Sequence, residues 1–317
     1  MNWIQFLKRA GINAPKGAAA ALASLVGLVI GGRVTSALNM PTPVMPAYMS
    51  LTTLLPLMFL SGILIAIVLG ECFRNLYQKY WQRLLVLWLC NYLLYYLLNT
   101  LDAFLFTTMT NLSTGIVANL FPALFLSAVI ALLWKPGSGN FTDSRSMVNY
   151  FSARKPGDWA WRFVLAWLIF PPIYYLAGRV VALFTLRYYT NPGLNNGLTL
   201  NFTIEGLLAM QVLRGALFLL AVLPIIFAWR STRTTLWLWL GSVIFIQIAI
   251  QTILQAYWLP LLAVRIPHGI ELLVDSFAQA YLYALLLYAP SSAVPGLNAE
   301  RSSNASTGKS GNIPQHQ

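Results

Sequence analysis

The chain contains 317 residues, of which 58% are hydrophobic and only 9% carry a charge. Ordinary soluble proteins are about 45–50% apolar and about 25% charged. A water-soluble fold of this size would need more polar surface than these residues can provide. The composition therefore excludes an ordinary soluble domain and predicts an integral membrane protein, with the lipid bilayer as its surroundings.

Eight stretches of the chain are long and apolar enough to cross a bilayer, since a spanning helix needs about 20 predominantly apolar residues. They lie at approximately 17–38, 50–70, 84–107, 114–134, 161–186, 206–229, 235–262 and 268–290, and we call them spans 1 to 8. The predicted fold is therefore all-α: a polytopic membrane helix bundle that forms a single transmembrane domain over residues 1–290. Residues 291–317 are rich in Ser, Asn, Gly and Gln, a composition typical of a disordered tail.

The distribution of basic residues predicts the orientation of the bundle. The net charge of +12 comes from 20 Lys and Arg against 8 Asp and Glu. Fifteen of the 20 basic residues lie before span 1, in the tail, or in the connections that join span 2 to 3, span 4 to 5 and span 6 to 7. The connections at residues 39–49 and 107–113 carry no charge. Basic connections face the cytoplasm, so both termini and the tail are predicted to be cytoplasmic, and the excess charge indicates topology rather than nucleic-acid binding. The small connections favour a plasma membrane, specifically a bacterial inner membrane.

Two local patterns predict features of individual spans. Small residues at Ala23, Gly27 and Gly31 share one face of span 1, which is typical of close packing between membrane helices. Pro171 and Pro172 stand side by side in span 5, where they are expected to kink or break the helix. A broken span often marks a binding site, although a simple packing kink is an equally good interpretation.

A small set of charged residues remains in or beside the spans, almost all toward the predicted outer side. The set comprises Arg33, Arg179, Arg187, Arg214, Arg265, Asp102, Glu205, Glu271 and Asp275. Inserting one charge at the centre of a span costs about 2.5–3.5 kcal/mol, so such residues are expected to face the bundle interior or a water-filled cavity. Intramembrane charges of this kind favour a functional hypothesis.

Helical periodicity gathers polar residues into one stripe on each of three spans. The stripes are Asn91, Tyr95, Asn99 and Asp102 in span 3, Gln247, Gln251 and Gln255 in span 7, and His268, Glu271, Asp275 and Gln279 in span 8. Spans 7 and 8 are joined by a short connection, so we expect an antiparallel pair. In that pair Gln255 lies level with Glu271 and Gln251 with Asp275, and each amide is predicted to satisfy the facing carboxylate or to line an aqueous path.

These residues predict a charge-lined cavity in the outer half of the bilayer. The predicted ligand-binding or proton-coupling residues are Arg33, Asn99, Asp102, Arg179, Arg214, Gln251, Gln255, His268, Glu271 and Asp275. Arginine suits carboxylate, phosphate and lipid headgroups, whereas His and acids carry protons. The first hypothesis is therefore transport or binding of a small anionic or zwitterionic solute or a lipid headgroup. The sequence identifies no catalytic residue and no cofactor.

Two other functional classes remain open. An intramembrane enzyme would use His268 and Glu271, whose i, i+3 spacing places both on one helix face and makes them weak metal-ligand candidates. Asp275 lies about 10.5 Å further along the axis than His268, too far to complete the same metal site unaided. Alternatively, an assembly or sensor subunit would use Arg33, Arg179 and Arg214 in structural ion pairs with Asp102, Glu271 and Asp275.

Overall fold

A computed structural model describes residues 3–42, 49–74, 76, 79–107, 111–136, 150–191, 194, 198 and 203–289. Within these ranges the chain is all-α, as predicted, and the only strand-like pairing is an isolated antiparallel bridge between Thr107 and Leu198. The predicted tail, 291–317, lies outside the described residues.

The helices are Trp3–Ala37, Leu51–Phe73, Tyr80–Cys90, Leu98–Phe106, Leu112–Ala118, Leu120–Leu133, Pro156–Leu168, Phe170–Thr190, Ile204–Ala228, Arg233–Ile250 and Ile266–Leu287. Three π-helical turns adjoin them, at Asn91–Leu97, Gln251–Gln255 and Leu261–Arg265. Some α-helices and π-helical turns follow one another without a break and together form longer helical segments.

Among the described residues, eight helical segments have the length and hydropathy of membrane spans. They are Gly11–Ala37, Leu51–Phe73, Tyr80–Phe106, Leu112–Leu133, Pro156–Thr190, Ile204–Ala228, Arg233–Gln255 and Leu261–Leu287, and they keep the names spans 1 to 8. The predicted count of eight is confirmed, and the chain is a multi-pass membrane protein.

The predicted boundary between spans 7 and 8 is wrong. Span 7 ends at Gln255 rather than at 262, because residues 256–260 leave the helix in a turn before span 8 begins at Leu261. The turn ends at Pro260, whose missing N–H suits the start of the next helical turn. Hydropathy does not reveal this turn because its residues are almost entirely apolar.

Span 1 packs backbone to backbone against span 4, as its small residues predict. A Cβ atom added to Gly31 would lie 2.3 Å from the carbonyl oxygen of Ala118, and one added to Gly27 would lie 2.7 Å from Cα of Pro122. Neither position has room for a side chain. The two helices therefore approach each other as closely as their backbones allow.

Span 5 is broken where its two prolines predict a break. One helix ends at Leu168, Ile169 forms a turn, and the next helix begins at Phe170 with prolines in its first turn. Proline is tolerated there because the N–H groups of a first turn have no partner within the helix. The break divides 35 residues into two helices.

Buried charges at the predicted cytoplasmic end are held by nearby hydrogen-bonding groups. The carboxylate of Glu71 accepts a hydrogen bond from Asn13 at 2.7 Å and pairs with Arg74 at 3.3 Å. The guanidinium of Arg83 donates to the carbonyls of Ala131 and Trp134, at 2.8 and 3.3 Å. These carbonyls close the C-terminus of span 4, where a helix has acceptors without partners.

We expect Gly31→Ala to destabilise the protein by about 1–3 kcal/mol, the usual cost of overpacking, because its Cβ would collide with the backbone of span 4. Gly32→Ala is the matched control, since nothing lies within 4 Å of the Cβ it would add. Thermal unfolding of the two purified variants measures the difference. Equal stabilities would contradict the backbone contact.

Candidate functional site

A cavity of about 310 Å³ lies among the ends of spans 3, 5, 6, 7 and 8 that are predicted to be outer. Its volume falls at the lower end of the range of about 300–1,000 Å³ that is typical of small-molecule sites. Five spans contribute to it, so the site belongs to the tertiary structure of the bundle and not to one helix.

An ion pair between spans 3 and 6 forms one part of the cavity wall. Nη1 of Arg214 lies 3.0 Å from Oδ1 of Asp102, and the Arg214 side chain is only 4% exposed. The guanidinium carbon also lies 5.3 and 5.7 Å from the ring centroids of Phe170 and Tyr174, within cation–π range. The Asp102 side chain is 33% exposed, so this carboxylate is the more accessible member of the pair.

A second polar pair lies on span 8. Nδ1 of His268 is 2.7 Å from Oε2 of the buried Glu271, and Nε2 is 3.3 Å from the hydroxyl of Tyr189 in span 5. Gly178 of span 5 faces the same carboxylate, because a Cβ added there would lie 3.3 Å from Oε1. The absence of a side chain at Gly178 therefore leaves space beside Glu271.

Asp275 lies one helical turn below Glu271, about 6 Å along the axis of span 8. Its side chain is 2% exposed, and its Oδ1 accepts no hydrogen bond from any residue that the structure describes. The charges of Glu271 and Arg214 act on it, and those of Arg214, Glu271 and His268 act on Asp102. The five groups therefore form one electrostatic cluster, which we call the charge cluster: Asp102, Arg214, His268, Glu271 and Asp275.

The π-helical turns lie next to the residues that build the site. Asn91–Leu97 immediately precedes the segment that carries Asn99 and Asp102, Gln251–Gln255 contributes Gln251 to the cavity wall, and Leu261–Arg265 precedes His268. A π turn bonds i to i+5 and so rotates every later side chain relative to an uninterrupted α-helix. Such turns occur frequently at functional sites, where they redirect side chains.

Six of the ten predicted site residues line the cavity, and two more lie beside it. The cavity-lining residues are Asn99, Asp102, Arg214, Gln251, His268 and Glu271. Gln255 is buried, with its Nε2 2.6 Å from the hydroxyl of Tyr95, and Asp275 belongs to the charge cluster. The spans therefore bring together most of the polar residues that periodicity selected.

The expectation that Arg33 and Arg179 face the bundle interior is wrong, because both side chains are exposed on its perimeter. Arg33 lies two residues beyond Gly31, about 200° around a helix whose glycine face packs inward. Arg179 follows Gly178 and is turned about 100° away from the cavity. Neither arginine pairs with a described acid, so the predicted trio of structural ion pairs reduces to Arg214 with Asp102.

The expected pairing of glutamines with carboxylates is also wrong, although spans 7 and 8 do pack along each other. Gln255 donates to Tyr95, and Nε2 of Gln247 lies 3.2 Å from Sγ of Cys90, so these amides bond to span 3. Gln279 donates to the hydroxyl of Tyr283 at 2.7 Å within its own helix. Packing of two helices side by side does not determine which neighbour an amide meets.

The aromatic and apolar part of the site was not predicted. Tyr174, Gly178, Val181, Thr185 and Tyr189 line the cavity from span 5, and further apolar contacts come from Phe106, Leu198, Trp258 and Leu259. The span 5 residues recur at helical spacing after the proline break, a pattern that is visible in the sequence. Aromatic stripes in membrane helices usually indicate packing, so this pattern alone does not identify a site.

The geometry provides two of the ligands that a metal would need, and no more. His268 and Glu271 are adjacent, but both ring nitrogens of His268 already have partners. In the described part of the chain, no three His, Cys, Asp or Glu side chains are grouped as a metal site would require.

Comparisons with protein-family models, with curated proteins and with solved structures find no match for this chain. The case for a function therefore rests on the chemistry of the cavity.

We expect Arg214→Met to destabilise the protein by about 3 kcal/mol, because it leaves the buried Oδ1 atom of Asp102 without its cation. Adding Asp102→Asn should recover most of that loss. Arg179→Met, on the exposed perimeter, is the matched control and should leave stability within about 0.5 kcal/mol. Equilibrium unfolding in mixed micelles measures all four proteins. A double variant no more stable than Arg214→Met alone would contradict the ion pair.

Proposed function

We propose that the protein binds a small organic molecule bearing an ammonium group, a cation or a zwitterion, in this cavity and carries it across the membrane. The observation that supports this proposal is the charge cluster, in which three acids accompany one arginine and one histidine. An excess of acidic groups in apolar surroundings attracts a positive charge from outside. In keeping with the basic connections, we place both termini in the cytoplasm of a cell with this protein in its plasma membrane.

The walls of the cavity suit the remainder of such a molecule. Tyr174 and Tyr189 present aromatic rings near the acids, and the faces of aromatic rings attract ammonium groups. Apolar side chains such as Phe106 and Leu259 provide contacts for a hydrocarbon or aromatic portion. The cavity therefore favours an amphipathic amine over a fully hydrated ion.

The position of the arginines changes the ligand class that the sequence suggests. Arg33 and Arg179 lie outside the cavity, and Arg214 is already paired with Asp102, so the attraction for a simple anion is largely removed. A zwitterion remains compatible, because it carries the ammonium group that the acids of the charge cluster attract. The same ammonium chemistry occurs in free solutes and in lipid headgroups.

A panel of four probes tests the ligand class on the purified protein. Benzyltrimethylammonium represents a cation, phenylalanine a zwitterionic solute, glycerophosphoethanolamine a headgroup, and succinate a dianion. We expect thermal stabilisation and saturable calorimetric binding with one or more ammonium probes, and none with succinate. Comparison of phenylalanine with glycerophosphoethanolamine separates the solute from the headgroup. Stabilisation by succinate alone, or by none of the four, would overturn the proposal.

Gly178→Ala tests whether this cavity is the site while leaving every charge in place. Its methyl group would lie 3.3 Å from Oε1 of Glu271 and occupy space beside the carboxylate, so we expect about tenfold weaker binding of the ammonium probe. Alanine is favoured over glycine within a helix, which offsets the cost of the tight contact with Glu271. Gly32→Ala is the control, since its methyl group meets nothing within 4 Å. Wild-type affinity in Gly178→Ala would place the ligand elsewhere.

Uptake into liposomes tests the transport part of the proposal. Protein reconstituted with the tightest-binding probe trapped inside should accelerate entry of labelled probe from outside by exchange, and Gly178→Ala should reduce that rate. Binding without any exchange would indicate a receptor or sensor in place of a transporter.

A further inference from the structure

We propose that the protein exchanges its ammonium ligand for a proton carried by Asp275. This inference rests on the proposed function and names the ion to which ligand binding is coupled. It follows from the pairing of the charges that surround the cavity and from the one acid of the charge cluster that forms no ion pair with a described residue.

Each span around the cavity contributes a defined set of groups. Span 3 provides Asp102, span 6 provides Arg214, span 5 provides Tyr174 and Tyr189, and span 8 provides His268, Glu271 and Asp275. Span 7 provides the amide of Gln251. The charge of the site is therefore determined by three acids, one arginine and one histidine.

Two close pairs account for four of these five groups. Arg214 and Asp102 cancel each other across 3.0 Å. His268 and Glu271 form the second pair, with Nδ1 of the imidazole 2.7 Å from Oε2 of the carboxyl group. Asp275 is the member of the charge cluster that belongs to neither pair.

The surroundings of Asp275 do not support an isolated carboxylate. The side chain is 2% exposed, and its Oδ1 receives no hydrogen bond from the described part of the chain. An unpaired negative charge at such a position in a membrane is strongly disfavoured. Burial therefore favours a proton on Asp275 when the site is empty.

Ligand binding then becomes an exchange that conserves charge. The O–H bond of the Asp275 carboxyl group breaks, the electron pair remains on the carboxylate, the proton leaves to water, and the positive ligand takes its place as the counter-charge. Glu271, one helical turn from Asp275 toward the cavity, is hydrogen-bonded to His268, and His268 to Tyr189, so proton-carrying groups lie between Asp275 and the cavity. A proton gradient would in this way drive the ligand in the opposite direction.

Linkage gives the exchange a measurable signature. If one proton is released for each bound cation, affinity rises about tenfold per pH unit over the range in which the empty site is protonated. Benzyltrimethylammonium is the appropriate probe because its charge is fixed, so any proton released comes from the protein. Calorimetric titration in HEPES and in Tris, which differ in ionisation heat, counts those protons.

Asp275→Asn separates this exchange from a purely structural role. The amide resembles the protonated acid in size and charge, so the variant should fold, release no proton, and bind the probe at every pH with the weak affinity that the wild type has at low pH. Glu205→Gln, which removes an exposed acid outside the cavity, is the control and should keep the full pH dependence.

The outcomes distinguish this inference from the proposed function. Probe binding that is independent of pH and releases no proton in the wild type would overturn the exchange while leaving the binding site intact. Undiminished proton release in Asp275→Asn would overturn the assignment to Asp275. Failure of the folded wild type to bind any ammonium probe at any pH would overturn the proposed function itself.

Discussion

An ionised side chain inside a bilayer must find its counter-charge within the protein, and this requirement organises the cavity end of the bundle. Arg214 meets Asp102 across spans 6 and 3, while Glu271 and His268 meet on span 8 with Tyr189 of span 5 beside them. The spans can approach one another here only in arrangements that keep these partners together. Buried polar groups must keep their hydrogen-bonding partners, so they cannot rearrange to fill space as apolar side chains do. The cavity lies beside these fixed pairs.

Hydropathy and local pattern were sufficient for most of the fold. Long apolar runs predict the eight spans because the bilayer fixes how many residues a helix needs. The close contact at Gly31 and the break before Phe170 were also predictable, since each depends on the chemistry of one or two residues. The turn at 256–260 was not, because an apolar turn inside the bundle has the hydropathy of the helix it interrupts.

Periodicity identified the polar residues of the site more reliably than it identified their directions. Asn99 and Asp102 do face the cavity, yet a π turn precedes them and alters the phase that a regular helix would give. The predictions for Arg33 and Arg179 were wrong for another reason. Their charge suggested an interior position, but Gly31 and Gly178 occupy the inward face of each helix. Residue type limits where a charge is tolerated, and helix packing decides where it points.

The two ends of the bundle treat buried charge differently, and the difference bears on whether the charge cluster is structural. At the predicted cytoplasmic end, Glu71 is held by Asn13 and Arg74, as expected of a charge that fastens helices together. At the cavity end, Asp275 is as deeply buried, but its Oδ1 has no donor among the described residues. A purely structural role does not explain an acid at position 275, because asparagine, the neutral amide of the same size, would pack equally well there. A role that requires gaining and losing a proton does explain the acid, since a permanent partner would fix it in one charge state.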